Sequence, residues 1–515
     1  MVNNTKTSKV PEPFVRSLRN YSSILKISHE LGVISQPFKR ALEIAYRAGA
    51  RHCLQWKDYE NLEWRAESQI LYSHVYPPQP DYVIRLDFFR SNPIKDQDKD
   101  AGHIGYVCLR PGPKLTVVEC TVKPPSDVAN HYLLCTSTCK TKYPISDTEF
   151  IDTEITGACT FVQQDGAAGV CAHACLRIMS LSLSCSYSGC DAMTVEEIQK
   201  KAALMPLLEG SHMPSSGLRE AEIAAVVEEM KATPHLYWFE KGQEERMHLT
   251  FEQVVYPYIE SQIPVMVCID TEKDERHVVV VVGHTFDRDS WWQQAEIGYY
   301  PTLAGGTTWI PSYMWSPEFI VHDDNFGPYL SVSRTLLRLT TSSIIIPIPQ
   351  SCHVFLTGYQ AESLAANYLT STMFCKYILQ ETYIKTLWRN LVEEIETGSN
   401  LVLRPLLVSR EALITHLASS EISQQLVEIY KQAKLSPWVW LIEVSVPQLY
   451  SQRKKIGEII INASYPWQHI QTGIEPLIAL RIFDVIILSE NFAQPQLTKD
   501  RHPTSVLTRV TFDKA

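Results

Sequence analysis

Apolar positions in residues 13–51 recur at three- and four-residue steps: Leu25, Ile27 and Leu31, then Phe38, Ala41, Leu42, Ile44 and Ala45. That is the period of a helix with one buried face, and Gly32 and Pro37 punctuate two such helices. From Ser68 to Ile155 the texture changes to short β-like runs at 82–89, 104–109 and 115–122. Pro, Gly and Asp clusters at 91–102, 110–114 and 123–127 separate them, as turn residues separate strands. The pattern predicts a helical lead-in and then a small β-rich unit.

At Gly157 the texture changes again. A Gly/Ala/Gln segment leads into a helical stretch at 171–183, and further helical patterns follow at 195–207 and 218–232. Three strand-like runs come next, at 264–270, 277–284 and 319–323. Helices first and strands after predict one α+β domain. Beyond Ser331 lie an Ile- and Pro-rich run at 343–349, a helical region at 360–397 and an amphipathic helix at 409–432. Strand candidates at 439–446 and 457–463 precede a polar end at 494–515. No repeat of solenoid length is present. A chain of 515 residues exceeds one hydrophobic core. The expected division is a helical lead-in (1–60), a β-rich domain (61–155), an α+β domain (156–335) and a C-terminal α/β domain (336–515).

Composition narrows the function. A formal net charge of −10, without a basic run, excludes the broad electrostatic footprint of nucleic-acid binding. The longest apolar runs, 278–282 and 344–349, are too short to span a bilayer, and the first residues carry no apolar core of signal-peptide length. A cytoplasmic location with neither membrane nor nucleic-acid partner is expected. The 13 cysteines, an odd number, fit reduced thiols better than a disulfide framework. Cys135/Cys139 and Cys185/Cys190 lack a second tight pair or a matching histidine pair, so they read as buried or incidental thiols rather than zinc ligands.

Three segments carry chemistry. Cys171 opens a predicted helix, where the dipole and unsatisfied N–H groups favour a thiolate. Gly169, Ala172 and Ala174 leave room for a substrate backbone, and Gln163 and Gln164 just upstream offer an amide N–H to an oxyanion. Residues 171, 174, 175, 178 and 181 form an apolar stripe, which turns Cys175 into the core and leaves His173 toward solvent. His277 starts a run of five valines, a strand buried on both faces that holds a general base rigidly. The run at 264–270 reads as its antiparallel neighbour across a charged turn. The third segment ends in Asp323, Asp324 and Asn325, any of which offers an orienting partner for the imidazole. Asp323 shares strand parity with Phe319 and Val321, and Asp324 with Ile320 and His322; Asp323 is preferred, with Asp324 open.

This order of Gln, Cys-bearing helix, further helix, Pro264-Val265 strand, His-Val-Val-Val strand and Asp-bearing strand resembles the papain-like cysteine peptidases of the double-glycine leader, or bacteriocin-processing, type. Ser216-Gly217-Leu218 before a helix agrees with the resemblance, which covers residues 157–330. It implies a papain-like core, a Cys-bearing helix packed on an antiparallel sheet. It implies Cys171 as nucleophile, His277 as base, Asp323 as orienter and Gln164 as oxyanion donor. No cofactor or metal is implied, and the expected partner is a peptide or protein substrate.

Three departures from that pattern stand in the chain. Gln164 lies seven residues before Cys171 and Gln163 eight, where the family places its glutamine six before. Ala172 replaces the glycine that commonly follows the nucleophile. The gap between His277 and Asp323 is long, and its insertion carries Trp291, Trp292, Tyr299, Tyr300, Trp309, Tyr313 and Trp315. Those rings form either a lid over the site or an aromatic cluster of their own, the latter being favoured. Rival readings are a metal enzyme using His277, His284, His322 and the aspartates, a transpeptidase on the same site, and a peptide-binding module on the same scaffold. Seven strand residues, about 23 Å, part His277 from His284 and place them on opposite faces, which disfavours a metal shared by both.

Overall fold

The computed structural model describes residues 14–61, 63–65, 68, 82–94, 102–112, 114–125, 131–133, 137–144, 149–164, 171–204, 218–239, 249–271, 276–288, 309–371, 374, 382–390, 401–419, 424–433, 435–470, 475–483, 485–489, 496–497 and 505–506. The architecture is mixed α and β, built on several antiparallel sheets. The lead-in helices run Tyr21–Leu31 and Gln36–Arg47. Gly32 ends the first at φ 102, a conformation open to glycine at no steric cost. The Ser35 side chain accepts from the Phe38 N–H to cap the second, and Pro37 sits in its first turn.

The second helix packs on a six-stranded antiparallel sheet with the order Phe14–Ser17, His52–Glu60, Tyr82–Phe89, His103–Arg110, Thr116–Val122, Thr160–Phe161. The three predicted runs in this region are all strands. A separate hairpin, Ser137–Pro144 with Phe150–Ala158, lies alongside.

The sheet that bears His277 has the order Ala232–Trp238, Thr341–Pro349, Val265–Asp270, Arg276–Thr285, Glu318–Asp323, Gly327–Ser333. Residues 131–133 also pair with the His277 strand, at its far end. The sheet therefore takes one strand from before residue 156 and one from beyond residue 335. The Ile- and Pro-rich run is that second strand, hydrogen-bonded on both sides, so its apolar residues are buried by position in the sheet. Helix Cys171–Ser186 lies against this sheet, with helices Val195–Leu204 and Glu220–Glu229 beside it. It is buried nearly all round, beyond the single stripe expected, because elements cover it on several sides.

A third sheet has the order Trp309–Pro311, Leu401–Ser409, Trp438–Ser445, Gly457–Asn462, Leu477–Ile482, Val485–Leu488, Gln496–Leu497. The amphipathic segment expected as one helix at 409–432 divides into Arg410–Ser419 and Gln424–Gln432. Strand Leu401–Ser409 escapes sequence reasoning because Pro405 interrupts it. Pro405 is tolerated because the short strand Trp309–Pro311 pairs only as far as Leu403. Two residues on, the Leu407 N–H on the same edge donates to Ser261 Oγ instead.

The described part of the aromatic insertion joins the two larger units. Its strand Trp309–Pro311 enters the third sheet, Trp315 is buried against Tyr450, and Trp315 Nε1 donates to Ser451 Oγ at 2.9 Å. Trp309 Nε1 donates to Glu362 Oε1 at 2.7 Å. Trp291, Trp292, Tyr299 and Tyr300 lie outside the described residues.

One contiguous apolar cluster runs from Leu18 to Ile487, so the three larger sheets share a core. A chain of buried charges crosses the same junction. His284 Nε2 meets Glu260 at 2.7 Å, and Arg404 pairs with both Glu260 and Glu443, the latter at 2.7 Å. Lys455 bridges Glu443 (2.7 Å) and Glu458 (3.3 Å), and Arg481 closes the chain on Glu458 at 2.6 Å. Strict alternation of sign makes burial of these charges tolerable. We expect Arg404→Met to leave Glu260 and Glu443 without their shared cation and to cost about 3–5 kcal/mol, read as a lower chemical-denaturation midpoint. A midpoint equal to wild type would show that the junction does not depend on this pairing.

Candidate active site

Cys171 is the first residue of a 16-residue helix whose first turn carries no acidic side chain. Nothing there competes with the positive end of the dipole for a thiolate. Its thiol is free and half-buried, so a substrate can reach it. One turn on, Cys175 is buried, and its Sγ donates to the Val278 carbonyl at 3.4 Å. That contact ties the Cys171 helix to the histidine strand. His173, expected toward solvent, is buried instead, because helices 195–204 and 220–229 cover that side. Burial, opposed by Gln199 and Glu222, lowers its pKa to about 4.

His277 is the second residue of strand Arg276–Thr285, which pairs antiparallel with Val265–Asp270 as expected; residues 272–275 between them lie outside the described residues. On its other edge Val280 lies opposite His322 and Val281 opposite Val321. Continued by one residue, that register puts Val279 opposite Asp323, so His277 and Asp323 share a face. Their side chains meet: His277 Nε2 to Asp323 Oδ2 is 3.1 Å. The other Asp323 oxygen accepts from the backbone N–H of Asn325 (2.8 Å) and Phe326 (3.2 Å), which locks the carboxylate. The Asp-x-Asn sequence was the available signal for that turn. Asn325 thus serves through its backbone.

Strand Glu318–Asp323 ends at Asp323, so Asp324 escapes strand parity. Its Oδ1 approaches His277 Nε2 at 3.5 Å, and both of its oxygens are buried with no side-chain donor at ordinary distance. The imidazole therefore faces two carboxylates. Burial works against the charged ring, but hydrogen bonds to Asp323 and Cys171 and the charges of Asp323 and Asp324 outweigh it. The His277 pKa is raised to about 10. Burial chiefly, with Asp323 adding and His277 opposing, raises Asp324 to about 6. With Nε2 turned to the carboxylates, Nδ1 is the ring nitrogen left for the thiol.

The two glutamines part company. Gln163 is buried, and its side-chain oxygen accepts from Ser35 Oγ (3.0 Å) and the Val117 N–H (2.9 Å), tying it to the first sheet. Gln164 is half-buried and next to the loop 165–170, which lies outside the described residues, as do Ser216 and Gly217. Of the histidines in the metal reading, His284 is spent on Glu260. His322 packs between Phe161 and Tyr329, and burial, with the charge of Arg40 adding, lowers its pKa to about 3. Among the described residues only His277, Asp323 and Asp324 gather, their ligand atoms within 4.8 Å of one another. No described helix is long and apolar enough to cross a membrane.

No family model matches the chain, and no curated protein matches it. Among solved structures, the peptidase domain of Streptococcus ComA, described as a bi-functional ABC transporter involved in a quorum sensing pathway, shows a likeness at a TM-score of 0.20 and 11% identity. The match covers 35% of this chain and 90% of that domain. A likeness at that level carries no argument about activity.

The His277 environment sets a pH dependence. Its folded pKa lies above the ordinary imidazole value of about 6.5. The contacts therefore stabilise the fold fully below that pH, and their contribution is lost as pH rises through about 10. We expect the ring of His277, followed by NMR with labelled histidine, to titrate near pH 10 in the wild type. In Asp323→Asn the midpoint falls toward the ordinary value; an unchanged midpoint would remove Asp323 as the cause.

Proposed function

We propose that the chain is a cysteine-dependent amide hydrolase whose papain-like core, residues 156–335 completed by the strands at 131–133 and 341–349, cleaves a peptide or isopeptide bond through an acyl-thioester. The observation that carries this reading is the His277 ring held between the Cys171 thiol, at a helix N-terminus, and the Asp323 carboxylate. Nucleophile, base and orienter form a chain in which each group fixes the protonation of the next.

The mechanism follows from that chain. The thiol proton resides on His277, giving a thiolate and an imidazolium whose Nε2–H donates to Asp323. The thiolate attacks the substrate carbonyl carbon, and the C=O electron pair moves onto oxygen. The Cys171 backbone N–H, which a helix start leaves without an intrahelical partner, and the Gln164 amide receive that oxyanion. Collapse expels the amine, which takes the His277 proton. Water, deprotonated by the same ring, releases the acid and regenerates the thiol. No cofactor enters. The partner is a peptide or protein, and the location in keeping with free thiols is cytoplasmic.

Selective reactivity of Cys171 tests the reading. Burial raises the thiols of Cys159, Cys190 and Cys268 to about 12, 11 and 11, so they serve as slow internal controls. In alkylation followed by mass spectrometry near neutral pH, Cys171 is expected to outpace every other cysteine and to lose that lead in His277→Ala. Reaction no faster than the other cysteines, or indifferent to the loss of His277, would leave a peptide-binding module on the same scaffold.

A further inference from the structure

We propose that His277, Asp323 and Asp324 form a binding site for one divalent cation of the zinc class, and that its occupation turns the hydrolase off. The site stands on ligand geometry alone; its inhibitory effect rests on the proposed hydrolase activity.

The donor set is one imidazole nitrogen and two carboxylates, within 4.8 Å of one another. Bonds of about 2.1 Å to a tetrahedral zinc put neighbouring ligand atoms about 3.4 Å apart. His277 Nε2 stands 3.1 Å from Asp323 Oδ2 and 3.5 Å from Asp324 Oδ1, which brackets that edge. Asp323 Oδ1 is already engaged by two backbone N–H groups, so Oδ2 is the oxygen free to bind, and its orientation is set in advance.

Asp324 supplies the independent observation. It is only 3% exposed, and no side-chain donor reaches its oxygens at ordinary distance; backbone N–H groups of Asp324 and Asn325 and the His277 ring at 3.5 Å are what face them. A buried carboxylate so thinly served gains when a cation approaches it more closely than the ring does. Asp323 already holds the imidazole by a hydrogen bond, and Asp324 adds only its charge; a third ligand position would use its oxygen as well.

The consequence for catalysis comes from imidazole chemistry. A cation on Nε2 takes that nitrogen's lone pair and displaces its proton to solvent. The ring then keeps its one proton on Nδ1, the nitrogen not turned to the carboxylates. It can neither accept the thiol proton nor complete the return transfer to the leaving amine. Metal occupancy and turnover are mutually exclusive.

Cobalt(II) is the probe, because its spectrum separates nitrogen and oxygen ligation from thiolate ligation in a cysteine-rich chain. Titration of the full, reduced chain is expected to give one equivalent of tetrahedral ligand-field absorption, chased by zinc, without a thiolate-to-cobalt charge-transfer band. His277→Ala abolishes it, Asp324→Asn weakens binding by about tenfold or more, and Cys171→Ser leaves it unchanged. Should Asp324→Asn fail to fold by circular dichroism, Asp323→Asn carries the same expectation. No cobalt spectrum, a spectrum dominated by thiolate, or one indifferent to His277 overturns the site. Cys171 alkylation in metal-free protein keeps the two proposals apart. His277-dependent reactivity without cobalt binding sinks the cation site alone. Cobalt binding without His277-dependent reactivity sinks the hydrolase and, with it, the inhibitory role.

Discussion

The strand of five consecutive valines is the constraint on which the rest of the site depends. Val278 to Val282 are buried on both faces, Val278 to Val281 pair with the strand on one edge, and Val280 and Val281 pair on the other as well. In such a strand the side-chain period is two, and a slip of one residue would exchange the faces. His277 would then turn away from Asp323 and from the Cys171 helix. Apolar packing along the strand thus fixes a polar geometry at its end. The polar side chains of the candidate site contribute little to holding that register; the valines and the strands beside them hold it.

The same strand ties the site to the rest of the chain. At one end His277 faces the helix that begins with Cys171, and Cys175 on that helix bonds to the strand at Val278. Seven residues on, His284 meets Glu260 and enters the alternating charge chain that reaches Arg481. The first unit buttresses the carboxylate turn from another side. Arg40 donates to the carbonyls of Pro328 and Tyr329, and the Tyr329 hydroxyl accepts from the Cys159 N–H and donates to the Val122 carbonyl. Strand Gly327–Ser333, which follows the two aspartates, is therefore clamped by residues distant in sequence. Gly327 itself, at φ 112, sits where a side chain would press on Pro37 and Arg40. These links tie the candidate site to the core that the larger sheets share.

What the sequence alone determined was the local chemistry and the elements with strong periodicity. The Cys171 helix, the 264–270 and 277–284 hairpin, the strand ending at Asp323 and the three strands of the first sheet were legible, because period and turn residues are local properties. Asp323 as the partner of His277 was preferred through the resemblance, with parity leaving Asp324 open. Tertiary structure decided the rest. It spent Gln163 on Ser35 and Val117, buried His173 beneath two helices, and drew the 341–349 run into the central sheet. It allowed a proline inside strand Leu401–Ser409, because the short neighbouring strand ends before that proline. It also placed Asp324 beside His277, where parity could not choose, since the strand ends one residue earlier. Each of these depends on what packs against a residue from far along the chain. Hydrophobic periodicity records only that a face is buried, and the burying partner is known only once the chain has folded.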